Sequence, residues 1–206
     1  MNKILVTGGC GYIGSHTMVD LIDHGFDVIS VDNLINASEK SLDGIYKITG
    51  KRVKNYQVDL TDDKALANIF AENTDIVGVV HFAALKAVGE SVEKPLLYYR
   101  NNLIGLLNLL ENMTRYNIPN LIFSSSCSVY GNTTELPVTE MTPKQEAESP
   151  YGRTKQMGED ILWDLSKTNS TMKTILLRYF NPAGAHESAF IGESPANIAS
   201  NLIPVI

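Results

Sequence analysis

Thr7-Gly8-Gly9-Cys10-Gly11-Tyr12-Ile13-Gly14 is a glycine-rich stretch that follows the apolar run Ile4–Val6 and precedes a segment ending at about His24. Its glycines can be read as Gly9-x-Gly11-x-x-Gly14 or as Gly8-x-x-Gly11-x-x-Gly14. Glycine permits a tight turn and a close approach of the backbone to a pyrophosphate, and the N-terminus of a following helix supplies N–H donors. The stretch therefore predicts a strand, a phosphate-binding turn and a helix, although a tight turn without a ligand has the same pattern.

The acidic residue Asp32 ends the second apolar run, Phe26–Val31, at the distance from the glycines that dinucleotide-binding units show. A carboxylate there accepts a hydrogen bond from a ribose 2′-hydroxyl and repels a 2′-phosphate, so Asp32 favours a ligand in the turn and NAD over NADP. Asp59 ends the third run, Val53–Val58, where its carboxylate can reach an adenine edge and its neighbour Leu60 can pack on the base. For Asp59 alone, a helix-capping role is the alternative.

Six short apolar runs alternate with longer amphipathic segments. This alternation predicts a parallel sheet with right-handed crossovers. Six strands favour an α/β, Rossmann-type doubly wound fold with helices on both faces and strand order 3-2-1-4-5-6. The predicted strands are Ile4–Val6, Phe26–Val31, Val53–Val58, Ile76–Phe82, Leu121–Ser125 and Thr174–Phe180. The predicted helices run from the glycine turn to His24, from an N-cap at Ser38 to Gly50, from an N-cap at Thr61 to Glu72, from Pro95 to Tyr116 and from Pro150 to Lys167.

The composition is that of an ordinary globular protein, with 206 residues of which 44% are hydrophobic and 19% charged. A formal net charge of −6 argues against a nucleic-acid partner. No apolar stretch approaches the ~20 residues of a membrane helix. The two cysteines, Cys10 and Cys127, show no disulfide framework and fit a reducing cytoplasm. The four histidines have no ligand spacing, so no metal is expected.

Tyr151 and Lys155 lie four residues apart, just inside the helix that Pro150 opens, so they share one face of it. A tyrosine of ordinary pKa is a poor base near neutral pH. A lysine ammonium ~6 Å away at an effective dielectric of ~20 stabilises the tyrosinate by roughly 2.8 kcal/mol. The positive charge of an oxidised nicotinamide can supply the rest, which makes Tyr151 a candidate general base. For an isolated Tyr-x-x-x-Lys pair, a solvated helix face is the more common explanation.

Three serines, Ser124-Ser125-Ser126, end the fifth strand. Ligands bind at the carboxyl ends of strands in open α/β sheets, and a serine hydroxyl there can bridge a sugar oxygen and Tyr151. Taken alone, a serine in this place is more often a loop cap.

Six motifs together resemble the extended short-chain dehydrogenase/reductase family, and within it the sugar-nucleotide 4-epimerases. They occur in the order and spacing of that family, and the resemblance extends from Lys3 to the last residues of the chain. The motifs are Gly8-Gly9-Cys10-Gly11-Tyr12-Ile13-Gly14-Ser15-His16, Val31-Asp32-Asn33-Leu34, His81-Phe82-Ala83-Ala84-Leu85-Lys86, Ser124-Ser125-Ser126, Tyr151-Gly152-Arg153-Thr154-Lys155 and Leu177-Arg178-Tyr179-Phe180-Asn181-Pro182.

The resemblance implies a role for each matching position in a site for NAD and a UDP-sugar. The implied catalytic residues are Ser126, Tyr151 and Lys155. Besides Tyr151 and Lys155, the implied NAD contacts are Gly8, Gly11, Tyr12, Ile13 and Gly14 at the pyrophosphate, Asp32, Asn33, Asn36 and Ser38 at the adenosine ribose, Asp59 and Leu60 at the adenine, Phe82, Ala83, Lys86 and Asn101 along the middle, and Tyr179 at the nicotinamide end. The implied substrate contacts are Ser126, Tyr151, Phe180, Asn181, Asn201 and Leu202.

The activity that the resemblance implies is the interconversion of UDP-galactose and UDP-glucose. Tyr151 takes the proton of the sugar 4-hydroxyl while a hydride passes from C4 to NAD, and both return after the 4-ketose has turned over. A homodimer of the full-length form is also implied, through the helices around 96–116 and 151–167. Residues 1–182 are expected to form the NAD-binding domain and 183–206 the beginning of an incomplete UDP-sugar-binding domain, so we expect these 206 residues alone to bind NAD but turn over slowly or not at all.

Two other functions stay open at this stage. A nucleotide-sugar 4,6-dehydratase or decarboxylase begins with the same oxidation, but a dehydratase needs carboxyl groups directly after the strand-five hydroxyl residue, where Cys127 and Ser128 stand. An NAD-binding regulator without turnover has no need of Ser126, Tyr151 and Lys155 together.

Overall fold

A computed structural model describes residues 2–168 and 171–194. Six strands form one sheet in the order β3-β2-β1-β4-β5-β6, and each neighbouring pair is parallel. The predicted fold class and strand order are thereby confirmed, and all six carboxyl ends lie at the same edge. The strands are β1 Lys3–Thr7, β2 Asp27–Val31, β3 Lys54–Tyr56, β4 Ile76–His81, β5 Asn120–Ser126 and β6 Lys173–Tyr179.

Helical segments connect the strands. In the described ranges, none of them is both long enough and apolar enough to cross a membrane. A π-helical turn, Arg100–Ile104, joins α5 to α6, and a 3-10 turn, Cys127–Tyr130, follows β5. The α-helices are α1 Tyr12–Asp23, α2 Lys40–Thr49, α3 Asp63–Glu72, α4 Val88–Glu93, α5 Pro95–Tyr99, α6 Gly105–Arg115 and α7 Pro150–Thr168.

Two apolar clusters cover the two faces of the sheet. One packs α3, α6 and α7 on the sheet and includes the fully buried Leu5 and Phe70. The other packs α1 and α2 on the opposite face, around Val6, Met18 and Ile45. The adjacent residues Leu5 and Val6 of β1 point to opposite faces, as successive residues of a strand do. Both faces of β1 are therefore buried, as in a parallel sheet between two helix layers, whereas the edge strand β6 is partly exposed.

The segment predicted as one helix from Pro95 to Tyr116 is interrupted. Pro95 does occupy the first helical position, that of α5, but the π-helical turn inserts an extra residue into the backbone ladder before α6 begins. The preceding helix α4 was not predicted, because six residues are too few to show a helical period.

The N-cap of α3 is Asp62, and the prediction of Thr61 is wrong. The Asp62 carboxylate accepts the N–H of Ala65 at 3.0 Å. The Thr61 hydroxyl donates instead to Asp59, at 2.7 Å. Because the Asp59 carboxylate binds the Thr61 hydroxyl, Thr61 does not cap the helix, and α3 begins one residue later than predicted.

The helix α2 begins two residues after its predicted N-cap, Ser38. Glu39 occupies the N-cap position, while the Ser38 hydroxyl accepts the N–H of Lys40 at 3.3 Å. The predicted end at Gly50 is confirmed. Its φ of 71° lies in the left-handed region that glycine adopts without strain.

The described part of the segment after β6 packs against α2. Ile191 is buried in the cluster beneath α1 and α2. Gly44 of α2 makes this contact possible, because a Cβ there would lie 2.4 Å from the carbonyl oxygen of Phe190. This segment therefore contributes a core residue to the sheet domain, and the domain boundary at 182 stays a prediction.

Candidate active site

The turn between β1 and α1 is packed so closely against other backbone atoms that a side chain has no room at two of its positions. Gly8 has a φ of 69°, and a Cβ on it would lie 2.7 Å from the backbone nitrogen of Ala83. A Cβ on Gly14 would lie 2.3 Å from the carbonyl oxygen of Gly8. Gly11 is the N-cap of α1 and has no side chain to cap it. The N–H groups of the first turn of α1, those of Tyr12 and Ile13 included, are therefore placed to receive a ligand.

Asp32, at the end of β2, is held against this turn. Its Oδ2 accepts the N–H of Cys10 at 3.0 Å, and its Oδ1 accepts the N–H of Leu34 at 2.9 Å. Burial raises the pKa of Asp32, and these two backbone donors act against the rise. The carboxylate is thus fixed beside the glycine turn, where the predicted ribose contact requires it.

Asn33 and Asp59 are joined across the edge of the sheet. Asn33 Nδ2 donates to Asp59 Oδ2 at 2.9 Å. Thr61 donates its N–H and its hydroxyl to Asp59 Oδ1, at 2.8 and 2.7 Å. Burial acts to raise the pKa of Asp59, but these hydrogen bonds outweigh it and hold the pKa below its ordinary value. Because Asp62 caps α3, the capping alternative for Asp59 is wrong.

The other residues of the predicted adenosine set differ in burial. Leu60 is buried, and a Cβ on Gly105 would lie 3.1 Å from its Cβ. Ser38 is exposed. The set as a whole lies in the loops that follow β2 and β3, namely Asp32, Asn33, Asn36, Ser38, Asp59 and Leu60.

The loop after β4 is bonded to the end of β1. The Phe82 N–H donates to the Thr7 carbonyl at 3.0 Å, and the Ala83 N–H donates to the Thr7 hydroxyl at 3.3 Å. The Phe82 ring lies 6.4 Å from the ring of Tyr179 at the end of β6. The structure therefore brings Phe82 and Ala83 to the glycine turn and Tyr179 next to Phe82, while Lys86 is exposed further along the loop.

Asn102 is a buried residue that the sequence analysis missed. Its Oδ1 accepts the N–H of Leu85 at 2.9 Å, and its Nδ2 donates to the Leu85 carbonyl at 3.0 Å and to the Thr154 hydroxyl at 3.1 Å. The predicted site residue Asn101 also donates to this Oδ1, at 2.9 Å. Asn102 therefore ties the loop after β4 to α7. In the sequence, Asn102 is recognisable only as part of a polar pair inside a predicted helix. The π-helical turn that carries Asn102 has no sequence signature.

Tyr151, Lys155 and Ser126 meet above the end of β5, as predicted. Lys155 Nζ lies 5.8 Å from the centre of the Tyr151 ring and 5.1 Å from that of Phe123. It donates to the carbonyl oxygen of Ser124 at 2.7 Å. The Ser126 hydroxyl is a hydrogen-bond partner of the Tyr151 phenol. Lys155 is only 5% exposed, so the alternative of a solvated helix face is wrong for this pair.

Burial is the largest influence on the titration of this pair. It lowers the pKa of Lys155 to about 8. It raises the pKa of Tyr151, against which the Ser126 hydrogen bond acts. The low pKa that the spacing to Lys155 predicts for Tyr151 is therefore not produced by the protein groups, because burial of the phenol has the largest effect and raises its pKa. A second positive charge beside the phenol is needed for Tyr151 to act as a base near neutral pH.

His81 lies at the end of β4 in the same buried region. Its Nδ1 is 2.7 Å from the Thr7 hydroxyl oxygen, and its ring stacks on Phe123 with 5.8 Å between ring centres. Burial and the positive charge of Lys155 lower the pKa of His81 to about 3. The imidazole is therefore neutral and adds no cation next to Lys155.

The predicted substrate residues are placed only in part. Phe180 and Asn181 follow β6 and are exposed, while Asn201 and Leu202 lie outside the described residues. Within residues 2–168 and 171–194, no group of three or more His, Cys, Asp or Glu side chains could hold a metal ion.

The glycine turn, the carboxylates after β2 and β3, and the Tyr151, Lys155 and Ser126 group all lie at the carboxyl edge of one sheet. The sequence pattern of the NAD dependent epimerase/dehydratase family matches residues 4–205. The chain belongs to this family. It spans about 60% of the length of the curated relatives that it matches.

Two of these relatives are similar to nearly the whole of this chain. The chain is 52% identical over 207 residues to the UDP-glucose 4-epimerase uge1 of Schizosaccharomyces pombe, covering 98% of this chain and 58% of that protein. It is 52% identical over 203 residues to the UDP-glucose 4-epimerase of Pasteurella multocida, covering 98% of this chain and 60% of that protein.

Solved structures of family members are similar over the same region. The UDP-glucose 4-epimerase of Bifidobacterium longum in complex with NAD+ and UDP has a TM-score of 0.96 at 50% identity, over 98% of this chain and 60% of that chain. The enzyme of Stenotrophomonas maltophila with bound NAD and formylated UDP-arabinopyranose has a TM-score of 0.95 at 45% identity, over 100% of this chain and 61% of that chain.

The burial of Lys155 generates a prediction about stability. Its pKa falls from an ordinary 10.5 to about 8, a penalty on the order of 3 kcal/mol for the charged form. Lys155→Met removes this penalty but also the hydrogen bond to Ser124, so urea unfolding at pH 7 should show a free energy of unfolding higher by about 1–2 kcal/mol.

The pH dependence of that gain checks its cause. Between about pH 8 and 10.5, Lys155 has lost its proton in the folded parent protein but still holds it in the unfolded chain. The free energy of unfolding of the parent therefore rises with pH, and the gain from Lys155→Met shrinks. Lys64→Met, on the exposed side of α3, is the control and should change the free energy by less than about 0.5 kcal/mol. A Lys155→Met protein less stable than the parent at pH 7 would contradict the prediction.

Proposed function

We propose that the protein carrying this chain binds NAD and interconverts UDP-galactose and UDP-glucose by transient oxidation at C4 of the sugar. The observation that carries the proposal is the meeting of Tyr151, Ser126 and Lys155 at the same sheet edge as the glycine turn and Asp32. The similar proteins support it, since they are UDP-glucose 4-epimerases, and the two solved structures hold NAD with UDP or a UDP-sugar.

The residues present fit NAD. Gly8 and Gly14 leave open the space that a Cβ would fill, and the N–H groups that begin α1 suit a pyrophosphate. Asp32 is fixed where a ribose 2′-hydroxyl is bound in dinucleotide folds. Phe82 and Tyr179, whose rings are 6.4 Å apart, would border the nicotinamide end. When bound, NAD supplies the hydride acceptor for C4 and a positive charge.

Tyr151 holds and moves the proton in this proposal. Its phenolate accepts the proton of the sugar 4-hydroxyl and returns it after the 4-ketose has turned over. Ser126, a hydrogen-bond partner of the phenol, bridges it to the sugar oxygen. Lys155, held by the Ser124 carbonyl, keeps an ammonium charge close to the Tyr151 ring and so favours the phenolate.

A dehydratase is less well supported by the same geometry. Its additional acid and base would follow Ser126, where Cys127 and Ser128 begin the 3-10 turn. The Ser128 N–H donates to the Ser126 hydroxyl at 3.2 Å, so this turn serves to position Ser126. A binding protein without turnover is disfavoured by Lys155, because a buried ammonium costs stability and NAD binding alone does not need it.

We also propose a homodimer formed through α6 and α7. These helices expose large apolar side chains, among them Leu107, Met157 and Trp163, and Trp163 is 67% exposed. The groove between the two helices is lined by Leu110 and Ile161, among others. Neighbouring exposed apolar side chains on packed helices favour association with another protein surface, and the same two helices on a second copy supply one.

The compartment proposed is the cytoplasm. Cys10 and Cys127 are both free thiols, and free thiols are typical of that reducing compartment.

The proposed cofactor preference predicts a difference between NAD and NADP. The chain, stripped of nucleotide, should bind NAD at least about tenfold more tightly than NADP in calorimetric titrations, because Asp32 repels a 2′-phosphate. Asp32→Asn removes the charge and should narrow this ratio, whereas Asp62→Asn at the N-cap of α3 should leave it unchanged. Equal affinities of the parent chain for NAD and NADP would contradict the proposed preference.

The proposed base predicts the behaviour of Tyr151→Phe in the complete gene product. The variant should bind NAD within about threefold of the parent and lose about 10²–10⁴-fold in kcat for UDP-galactose, because the ring still packs but accepts no proton. Tyr46→Phe, on the exposed side of α2, is the control and should turn over as the parent does. If Tyr151→Phe retains a kcat within threefold of the parent, Tyr151 is not the base.

The proposed interface predicts the mass of the complete gene product in solution. Sedimentation equilibrium should give twice the mass of one chain, and Trp163→Glu should shift it towards one chain because a buried carboxylate would lack a partner. Tyr46→Glu on α2 should not change the mass. A parent protein that sediments as a single chain would rule out the dimer.

A further inference from the structure

Glu159 is a buried carboxylate that the proposed mechanism does not use. It lies on α7, one turn beyond Lys155 and two turns beyond Tyr151, and it is only 3% exposed. Its Oε1 accepts from the Ser125 hydroxyl at 2.6 Å and from Arg178 Nε at 2.9 Å. Its Oε2 accepts from Arg178 Nη2 at 2.8 Å. Arg178 thus holds Glu159 in a bidentate pair.

These contacts join α7 to β5 and β6 at one point. Ser125 stands between Ser124, whose carbonyl oxygen holds the ammonium of Lys155, and the predicted catalytic residue Ser126. Lys155 and Glu159, one turn apart on α7, therefore bind to successive residues of β5. This arrangement fixes α7 along the direction of the strand.

The helix α7 lies close against the sheet. A glycine, Gly158, faces the sheet, and a Cβ there would lie 2.8 Å from the Phe123 ring. A bidentate arginine–carboxylate pair has fixed directions as well as strength. Replacing such a buried pair with well-packed apolar residues often costs no stability. The fixed directions of the pair suit it to setting the register of α7 more than to adding stability.

The same pair reaches the 3-10 turn that follows β5. The Arg178 guanidinium lies 4.9 Å from the centre of the Tyr130 ring, at the last residue of that turn.

Lys144 Nζ lies 3.8 Å from Glu159 Oε2 and 2.5 Å from Asp160 Oδ1. Burial acts to raise the pKa of Glu159, but its hydrogen bonds and these positive charges outweigh it and hold the pKa below its ordinary value. Glu159 is therefore charged at neutral pH.

We propose that Glu159 is a positioning residue for the epimerisation. Through Ser125 and Arg178 it sets the register of α7 on β5, and with it the hydrogen bond between the Tyr151 phenol and the Ser126 hydroxyl. Glu159 acts through α7 and takes no part in proton transfer. This inference rests on the proposed function, because it assigns Glu159 to the reaction of Tyr151.

The first test is Glu159→Gln in the complete gene product, which keeps the size of the side chain and removes its charge. Per NAD-loaded molecule, kcat for UDP-galactose should fall at least about fivefold while KM stays within about threefold. Asp160→Asn removes the neighbouring charge on the exposed side of α7 and should leave kcat within about twofold. A loss of less than fivefold in Glu159→Gln would overturn the proposal.

Titration of the Tyr151 phenol shows whether Glu159→Gln acts by shifting α7 or only by removing a negative charge. It needs no substrate. The difference in phenolate absorbance between each protein and its Tyr151→Phe counterpart gives the pKa of Tyr151. If α7 shifts, the phenol loses the Ser126 hydrogen bond that lowers its pKa, and the pKa rises. If only a negative charge is lost, the remaining positive charges lower it. The groups that face the phenol are Ser126, Cys127, Lys155 and Tyr98.

A higher pKa of Tyr151 in Glu159→Gln supports the proposal, and an unchanged or lower one overturns it. Ser125→Ala is the second variant, should Glu159→Gln fail to fold, because it removes one hydrogen bond and leaves the pair with Arg178 in place. It should lower kcat at least about twofold and raise the pKa of Tyr151, and parent-like values of both would overturn the proposal. An inactive parent would instead contradict the proposed function, and the titration would still test Glu159.

Discussion

The backbone of Gly8 lies directly against the backbone of Ala83, and the site depends on this contact. It brings the loop after β1 to the loop after β4, the two strands between which the order of the sheet reverses. Ligands bind in the crevice that opens at such a point. Thr7 reinforces the contact, since its carbonyl and its hydroxyl both accept N–H groups of the loop after β4. A side chain at Gly8 would separate the two loops and widen the crevice.

The features that the sequence predicts well are local. Strand order follows from the alternation of apolar runs with amphipathic segments, because the handedness of each crossover leaves few arrangements of a parallel sheet. Asp32 is placed by its distance from the glycines, since it ends the strand beside the turn. Tyr151 and Lys155 are placed by the helical repeat that puts them on one face. In each case the pattern that carries the prediction lies in neighbouring stretches of the sequence.

The features that the sequence does not predict depend on contacts between distant residues or on small differences in energy. Asn102 meets Thr154, which is 52 positions away, only because a π-helical turn directs it there. Burial cannot be read from the Tyr-x-x-x-Lys spacing either, although it decides the pKa of both residues. At the start of α3, Thr61 and Asp62 are both good capping residues, and a carboxylate two positions earlier decides between them.

Lys155 and Glu159 lie one turn apart on α7 with opposite charges, yet they are not bound to each other. Arg178 and Ser125 take both oxygens of Glu159, and in the part of the chain that the structure describes no carboxylate forms an ion pair with Lys155. If Glu159 bound the ammonium directly, its charge would cancel much of the field that Lys155 exerts on the Tyr151 phenol. Arg178 prevents this by offering Glu159 a bidentate partner from another strand. The ammonium therefore stays without a carboxylate partner, at a cost that its lowered pKa records, and its charge lies close to the ring of Tyr151, the proposed base.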